Sequence, residues 1–286
     1  MRSVHFRLLL GLLCAVAATA RADDPKTSET MPEHNLKLIV ERQKSLLAQA
    51  AKDGGQVDSE ALRTQLQGIL HDYEILLHEN PNFAEAYVAQ GYLLNKVGMR
   101  REAVDLMLKA NQLNPDIPIV KNQIGNYLAE DGKPLEAVSY FLAAIKLDPK
   151  EPLYHYQLGT LLHEARDDFI NSGNWTRESI DQTSHDAFRQ AAELAPDRIE
   201  FTYRYAESFY DLPKPDWDGA LKVWGQLEEK AQSDIERQTM RLHAANILIK
   251  QGKTDYAMTL LNTVTEKGLQ EQRQKLVAQI AEKAKK

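Results

Sequence analysis

Pro81, Pro115 and Pro149 stand 34 residues apart, and each closes a similar phrase: "HENPNF", "QLNPDI", "KLDPKE". A fourth, Pro196 in "ELAPDR", follows after 47 residues. A fixed period of this length demands one supersecondary unit repeated along the chain. Residues 84–117 show what the unit contains. Its first half carries Tyr87, Gly91 and Leu94; its second carries Ala103, Met107, Ala110 and Pro115. One period later the matching places hold Lys121, Gly125, Leu128, Ala137, Phe141, Ala144 and Pro149. Apolar and small residues at steps of three and four fit one face of a helix. Gly98 and Gly132 fall between the halves, where a helix must stop and turn, and proline terminates each unit. Gly91, Gly125, Ala103 and Ala137 leave little side chain where the two helices cross, and Met107 and Phe141 fill the wedge. No single pair buries its own apolar face, so the units must stack.

The phrases "AYVAQGYLL…REAVDLMLKANQLNP" and "KNQIGNYL…LEAVSYFLAAIKLDP" resemble the tetratricopeptide repeat family. The family's first-helix aromatic is present as Tyr87 and replaced by Lys121. Regular copies span 84–117 and 118–151; altered ones span 152–198, with an insertion at 163–183, then 199–235 and 238–267. The resemblance implies an all-α class: an α-solenoid of helix-turn-helix repeats with capping helices. A helical pair at 36–81 would cap one end, with Leu38, Ile39, Leu46 and Leu47 facing inward on its first helix and Leu62, Leu66, Ile69, Tyr73 and Leu76 on its second. A polar-faced helix at 268–286 would cap the other. Such a fold does not name its ligand.

The first 22 residues have the form of a secretory signal peptide: Arg2 and Arg7, a mostly apolar run from Leu8 to Ala20, then Ala20-Arg21-Ala22 before Asp23. The apolar run is too short to span a bilayer. Cys14, the sole cysteine, lies in this segment, and Leu13 before it does not suit lipidation. The expected mature chain therefore has no disulfide or thiol chemistry. Its formal charge moves from −6 to −9, because the segment removes three arginines and no acid. Such a chain without a basic block argues against nucleic acid. Residues 23–35, polar and bearing two prolines, read as a flexible lead.

The resemblance implies that first helices line a ligand groove. By position it would receive Tyr92, Asn122, Asn126, Tyr156, His163, Tyr203 and Tyr210. Tyrosines offer rigid area with a hydroxyl, and Asn122 and Asn126, one turn apart, could pair with an extended peptide backbone. Six acids fall there (Glu85, Glu130, Glu164, Glu200, Glu207, Asp211) against Lys96, which favours a neutral or basic partner segment. The family's clamp for chaperone carboxylate tails needs Lys, Asn, Asn, Lys and Arg; Val88, Tyr92, Gln123, Leu153 and Gln157 stand in those places, so that role is disfavoured. The insertion offers a second surface, with Trp175 inside the sequon Asn174-Trp175-Thr176.

No catalytic or metal signature emerges. His71 and His78 lie about 10 Å apart along a helix, too far for one ion. "HEARDD" lacks the second histidine of a zinc-protease motif. The sequence thus points to an exported, non-enzymatic protein without cofactor or metal, located in the periplasm or cell envelope or secreted. It would hold a protein or peptide partner in its groove, with no membrane span after cleavage. The alternatives are a structural subunit of an envelope assembly and, last, an enzyme accessory.

Overall fold

The structure is a computed structural model and describes residues 29–52 and 60–283. The expected signal peptide, the first part of the lead and the "DGG" break lie outside those residues. Among them every regular element is helical, and the chain divides into two compact units after Pro115.

The first unit holds α1 (Met31–Lys52), α2 (Glu60–Glu79), α3 (Ala84–Lys96) and α4 (Arg100–Leu113). Helix α1 begins five residues before its expected start at Leu36, so the lead is not extended up to residue 35. Thr30 and Glu33 explain the difference: the Thr30 hydroxyl accepts from the Glu33 amide, and the Glu33 carboxylate accepts from the Thr30 amide. This capping box satisfies two amides at the helix start. Leu36, Ile39, Gln43, Leu46 and Ala50 form the inner face of α1. Leu38, expected inside, is 54% exposed. The Tyr73 hydroxyl, buried in α2, donates to Gln43 Oε1 at 2.6 Å, which is why a glutamine can occupy the core.

The second unit holds α5 (Pro118–Glu130), α6 (Pro134–Leu147), α7 (Pro152–Glu164), α8 (Arg166–Asn171), α9 (Arg177–Leu194), α10 (Ile199–Ser208), α11 (Trp217–Lys230), α12 (Asp234–Lys250), α13 (Thr254–Leu261) and α14 (Gln270–Lys283). Its helices stack in chain order as an α-solenoid: α5 on α6, α6 on α7, α7 on α9, α9 on α10, then α10 to α13 in succession, with α14 on α12 and α13. Leu276, Val277 and Ile280 turn α14 onto the last core cluster. The last pair starts before the expected residue 238, because Ser233 and Glu236 cap α12 reciprocally.

Two close approaches dictate the small residues. A Cβ added at Gly125 would lie 2.9 Å from the Phe141 ring, and one at Gly159 would lie 2.9 Å from that of Phe188. Gly132 ends α5 at φ 74°, donating to the Ala129 carbonyl while Lys133 donates to that of Leu128. That left-handed cap favours glycine, which has no Cβ to strain there. Ala137 is fully buried at the start of α6. Ala137→Arg is expected to cost about 3 kcal/mol, since it forces a charge and a large side chain into a close contact. A melting temperature equal to that of the parent would refute this placement.

The insertion differs most from expectation. It is largely helix: α7 runs on to Glu164, α8 follows almost at once, and α9 begins at Arg177 instead of near residue 184. Thr176 caps α9, with its hydroxyl accepting from the Ser179 amide.

Candidate functional site

The first helices of the second unit, α5, α7, α10 and α12, carry most of the residues expected to contact a ligand. Asn122 is 0% exposed, and neither atom of its amide finds a partner. Asn126, one turn on, is also buried. The helical spacing that puts both on one face is real, but that face is covered, so Asn122 does not present an amide to an open surface. Gln157 on α7 is similar: it is buried, and its Oε1 is unpartnered.

Tyr156 is half-buried. Its ring packs 4.6 Å from that of Phe201 and 5.8 Å, edge-on, from that of Phe188. Burial raises its hydroxyl pKa. Tyr156 thus joins α7 to α9 and α10 and offers only its remaining edge to solvent.

Tyr203 of α10 and Tyr210, two residues past its end, converge on one residue that sequence reasoning did not select, His243 of α12. The Tyr203 hydroxyl lies 3.3 Å from His243 Nε2, and the Tyr210 hydroxyl 3.4 Å from Nδ1. The imidazole stacks flat on Trp224, with centroids 4.0 Å apart and planes 2° apart. Burial lowers its pKa to about 4, so the ring is neutral at pH 7. A second histidine grips α10 from α9. His185 Nδ1 lies 2.8 Å from the Ser208 hydroxyl, which itself donates to the Tyr205 carbonyl. With that proton committed, Nδ1 is the donor. Burial also lowers the His185 pKa.

His163 and the insertion meet in a charged network. Asp211, just past α10, lies 3.1 Å from His163 Nδ1 and 3.0 Å from Arg166 Nη2. Arg166 Nε approaches Asp181 Oδ1 at 2.7 Å, outside hydrogen-bonding angles, as a Coulombic pair. Arg177 adds a second cation 3.4 Å from the Asp181 carboxylate. Asp181 is 2% exposed, and burial raises its pKa against the pull of Arg166. The hydrogen bond from His163, with Arg166 adding to it, lowers that of Asp211. The insertion is therefore pinned to the next repeat. Trp175 is pinned too, packing edge-on against buried Phe169 at 5.6 Å instead of standing in solvent.

These pairs correct the charge reading. Of the six expected acids, Glu200 is bound by Arg198 at 2.5 Å, Glu207 by Arg204 at 3.0 Å, and Asp211 by Arg166 and His163. Half of the negative charge assigned to this face is compensated from within the chain. In the first unit, Tyr92 on α3 is half-buried, with the Lys96 ammonium 5.4 Å from its ring centre. Among the described residues no group of three His, Cys, Asp or Glu side chains is placed to hold a metal ion. No described helix is long and apolar enough to cross a membrane.

Residues 120–151 match the tetratricopeptide repeat family. No curated protein matches the chain in sequence. Solved structures share its fold. YrrB, described as a tetratricopeptide repeat protein with an unusual peptide-binding site, is similar at 18% identity and a TM-score of 0.56, over 67% of this chain and 90% of its own. PilF of Pseudomonas aeruginosa is similar at 13% identity and a TM-score of 0.58, over 87% of this chain and 99% of its own. The Naa15/Naa10 complex bound to HypK-THB gives 15% identity and a TM-score of 0.56, with 90% of this chain spanning 35% of that one. At these identities the likeness is one of fold.

Proposed function

We propose that this chain, a tetratricopeptide repeat protein built for protein interaction, is an exported, non-enzymatic scaffold that holds a neutral segment of a partner protein on the first helices of its second unit. The observation that carries this reading is the set of half-buried tyrosines on α7, on α10 and in the turn just past it. Each ring is braced from behind: Tyr156 by Phe201, Tyr203 by Trp224, Tyr210 by Trp217. Braced rings lose little conformational entropy when a partner covers their outer edge, which is how tyrosine serves binding surfaces. The compensated acids on α10 favour a neutral segment over a strongly basic one. The peptide site described for YrrB supports the class of ligand.

Export rests on the arginines and apolar run of residues 1–22. The testing experiment is affinity capture with crosslinking from the native compartment. A protein partner should be recovered, and Tyr156→Ala combined with Tyr203→Ala should reduce its recovery about tenfold, as loss of central contacts does. The bait's amino terminus, read by mass spectrometry, should be Asp23. Undiminished recovery by the double variant would refute the first-helix site; a bait retaining residues 1–22 would refute processed export.

A further inference from the structure

We propose a second docking surface, separate from the first helices, formed by the outer ridge of α6 and the inserted helix α8, which takes a cationic amphipathic segment of a partner protein. Leu135, Ser139, Leu142 and Lys146 follow one another at steps of four, three and four, so they form one ridge of α6. All four are exposed, and Leu135 and Leu142 each keep 47% of their surface. The same helix already buries Ala137, Phe141 and Ala144 on its other side. Its outer leucines are thus not needed for the core.

The inserted helix shapes the start of this ridge. Between α8 and the turn from α5 to α6 lies an open cavity of about 440 Å³, whose lining includes Lys133, Leu135, Glu136, Asp168 and Asn171. Its charge is uneven. Lys133 is held by Asp131 at 2.6 Å, with Glu136 also in electrostatic reach. Asp167 and Asp168 on α8 are exposed and stand in no ion pair among the described residues. The cavity therefore presents two carboxylates, Glu136 and Asp168, beside one ammonium that Asp131 already pairs.

An arginine or lysine entering the cavity would meet Asp168, while apolar side chains of the same segment cover Leu135 and Leu142. Lys146, at the far end, repels a further cation and fixes the direction, with the basic end of the partner toward α8. From Leu135 to Lys146 the ridge runs about 16 Å, the length of three helical turns. The surface is preformed, because α8 is anchored by Phe169 in the core and by Arg166 on Asp181, so little ordering is required on binding. A second copy of this chain, with a formal charge of −6 before and −9 after loss of residues 1–22, fits the cavity poorly.

The test is a fluorescence-anisotropy titration of the protein with a labelled helical peptide that has two lysines at one end and leucines along one face. Asp168→Lys and Leu142→Lys, both at exposed positions that leave the core intact, are each expected to weaken binding about tenfold, and Glu229→Lys on α11 less than about twofold. Tyr156→Ala with Tyr203→Ala should leave this titration unchanged, which separates it from the first-helix site. Equal weakening by all three lysine variants would reduce the effect to general charge attraction and overturn the proposal. So would equal binding of a peptide with glutamates in place of lysines, or sedimentation showing a dimer that Leu142→Lys dissolves.

Discussion

Replacing Arg166 by alanine is expected to lower the unfolding free energy by about 3–5 kcal/mol at pH 7, because it leaves Asp181 almost wholly buried with its main counter-ion gone. Arg177 cannot substitute: its side chain is largely exposed, and it reaches only one Asp181 oxygen at 3.4 Å. The same truncation removes a cation from Asp211 and frees α8 from the next repeat. Urea denaturation of the parent and the variant measures the loss. The double replacement Arg166→Met with Asp181→Leu should recover most of it, since two apolar groups of similar volume avoid the uncompensated charge. A loss below about 1 kcal/mol for Arg166→Ala would show that water reaches Asp181 and that the network is a surface feature.

Acid should loosen the second unit through His243. Its folded pKa is depressed to about 4, below the ordinary value of 6.5, so the unfolded chain binds this proton first. The contribution is intact above pH 6.5 and is lost as pH falls from there to about 4. Over that interval it amounts to roughly 3 kcal/mol for this one group. His185, shifted in the same direction, adds to the loss. His243→Phe keeps a ring on Trp224 and removes the titration. The stability of the parent relative to the variant should therefore fall by roughly 3 kcal/mol as pH drops from 6.5 to 4. Parallel curves would mean that the imidazole is already protonated, or hydrated, in the fold.

Much of the architecture was legible because it is written in local periods. The 34-residue spacing of Pro81, Pro115 and Pro149, and the small residues at Gly91, Gly125 and Ala137, place helices, turns and crossings without knowledge of distant neighbours. The start of α1 was legible as well, in the Thr30 to Glu33 spacing of a capping box, and was obscured by the prolines that surround it. The exposure of Leu38 was not, since α1 carries more apolar residues than its neighbours cover.

The site was legible only in part. The repeat resemblance assigned Tyr156, Tyr203, Tyr210 and Asn122 to first helices, but it could not say how much of each is covered, or that Tyr210 falls just past the end of α10. Asn122 is inside, and Tyr156 is partly core. His243 carried no signal: it is a lone histidine in the last repeat, and its partners Tyr203 and Tyr210 lie 40 and 33 residues away. The acids of α10 looked like an open field of negative charge until their arginines were located.

The sequence by itself determined that this chain is all-α and that its helices come in pairs. Those properties follow from hydrophobic period, cap chemistry and steric size, each of which acts over a few residues or within one repeat. Only the tertiary structure decided which polar groups are already spoken for. It closed the charges of Asp181 and Asp211 around Arg166, turned Trp175 onto Phe169, covered Asn122, and left Leu135, Leu142 and Asp168 outside. Burial and ion pairing depend on through-space neighbours in the folded stack, and a one-dimensional spacing carries no measure of them.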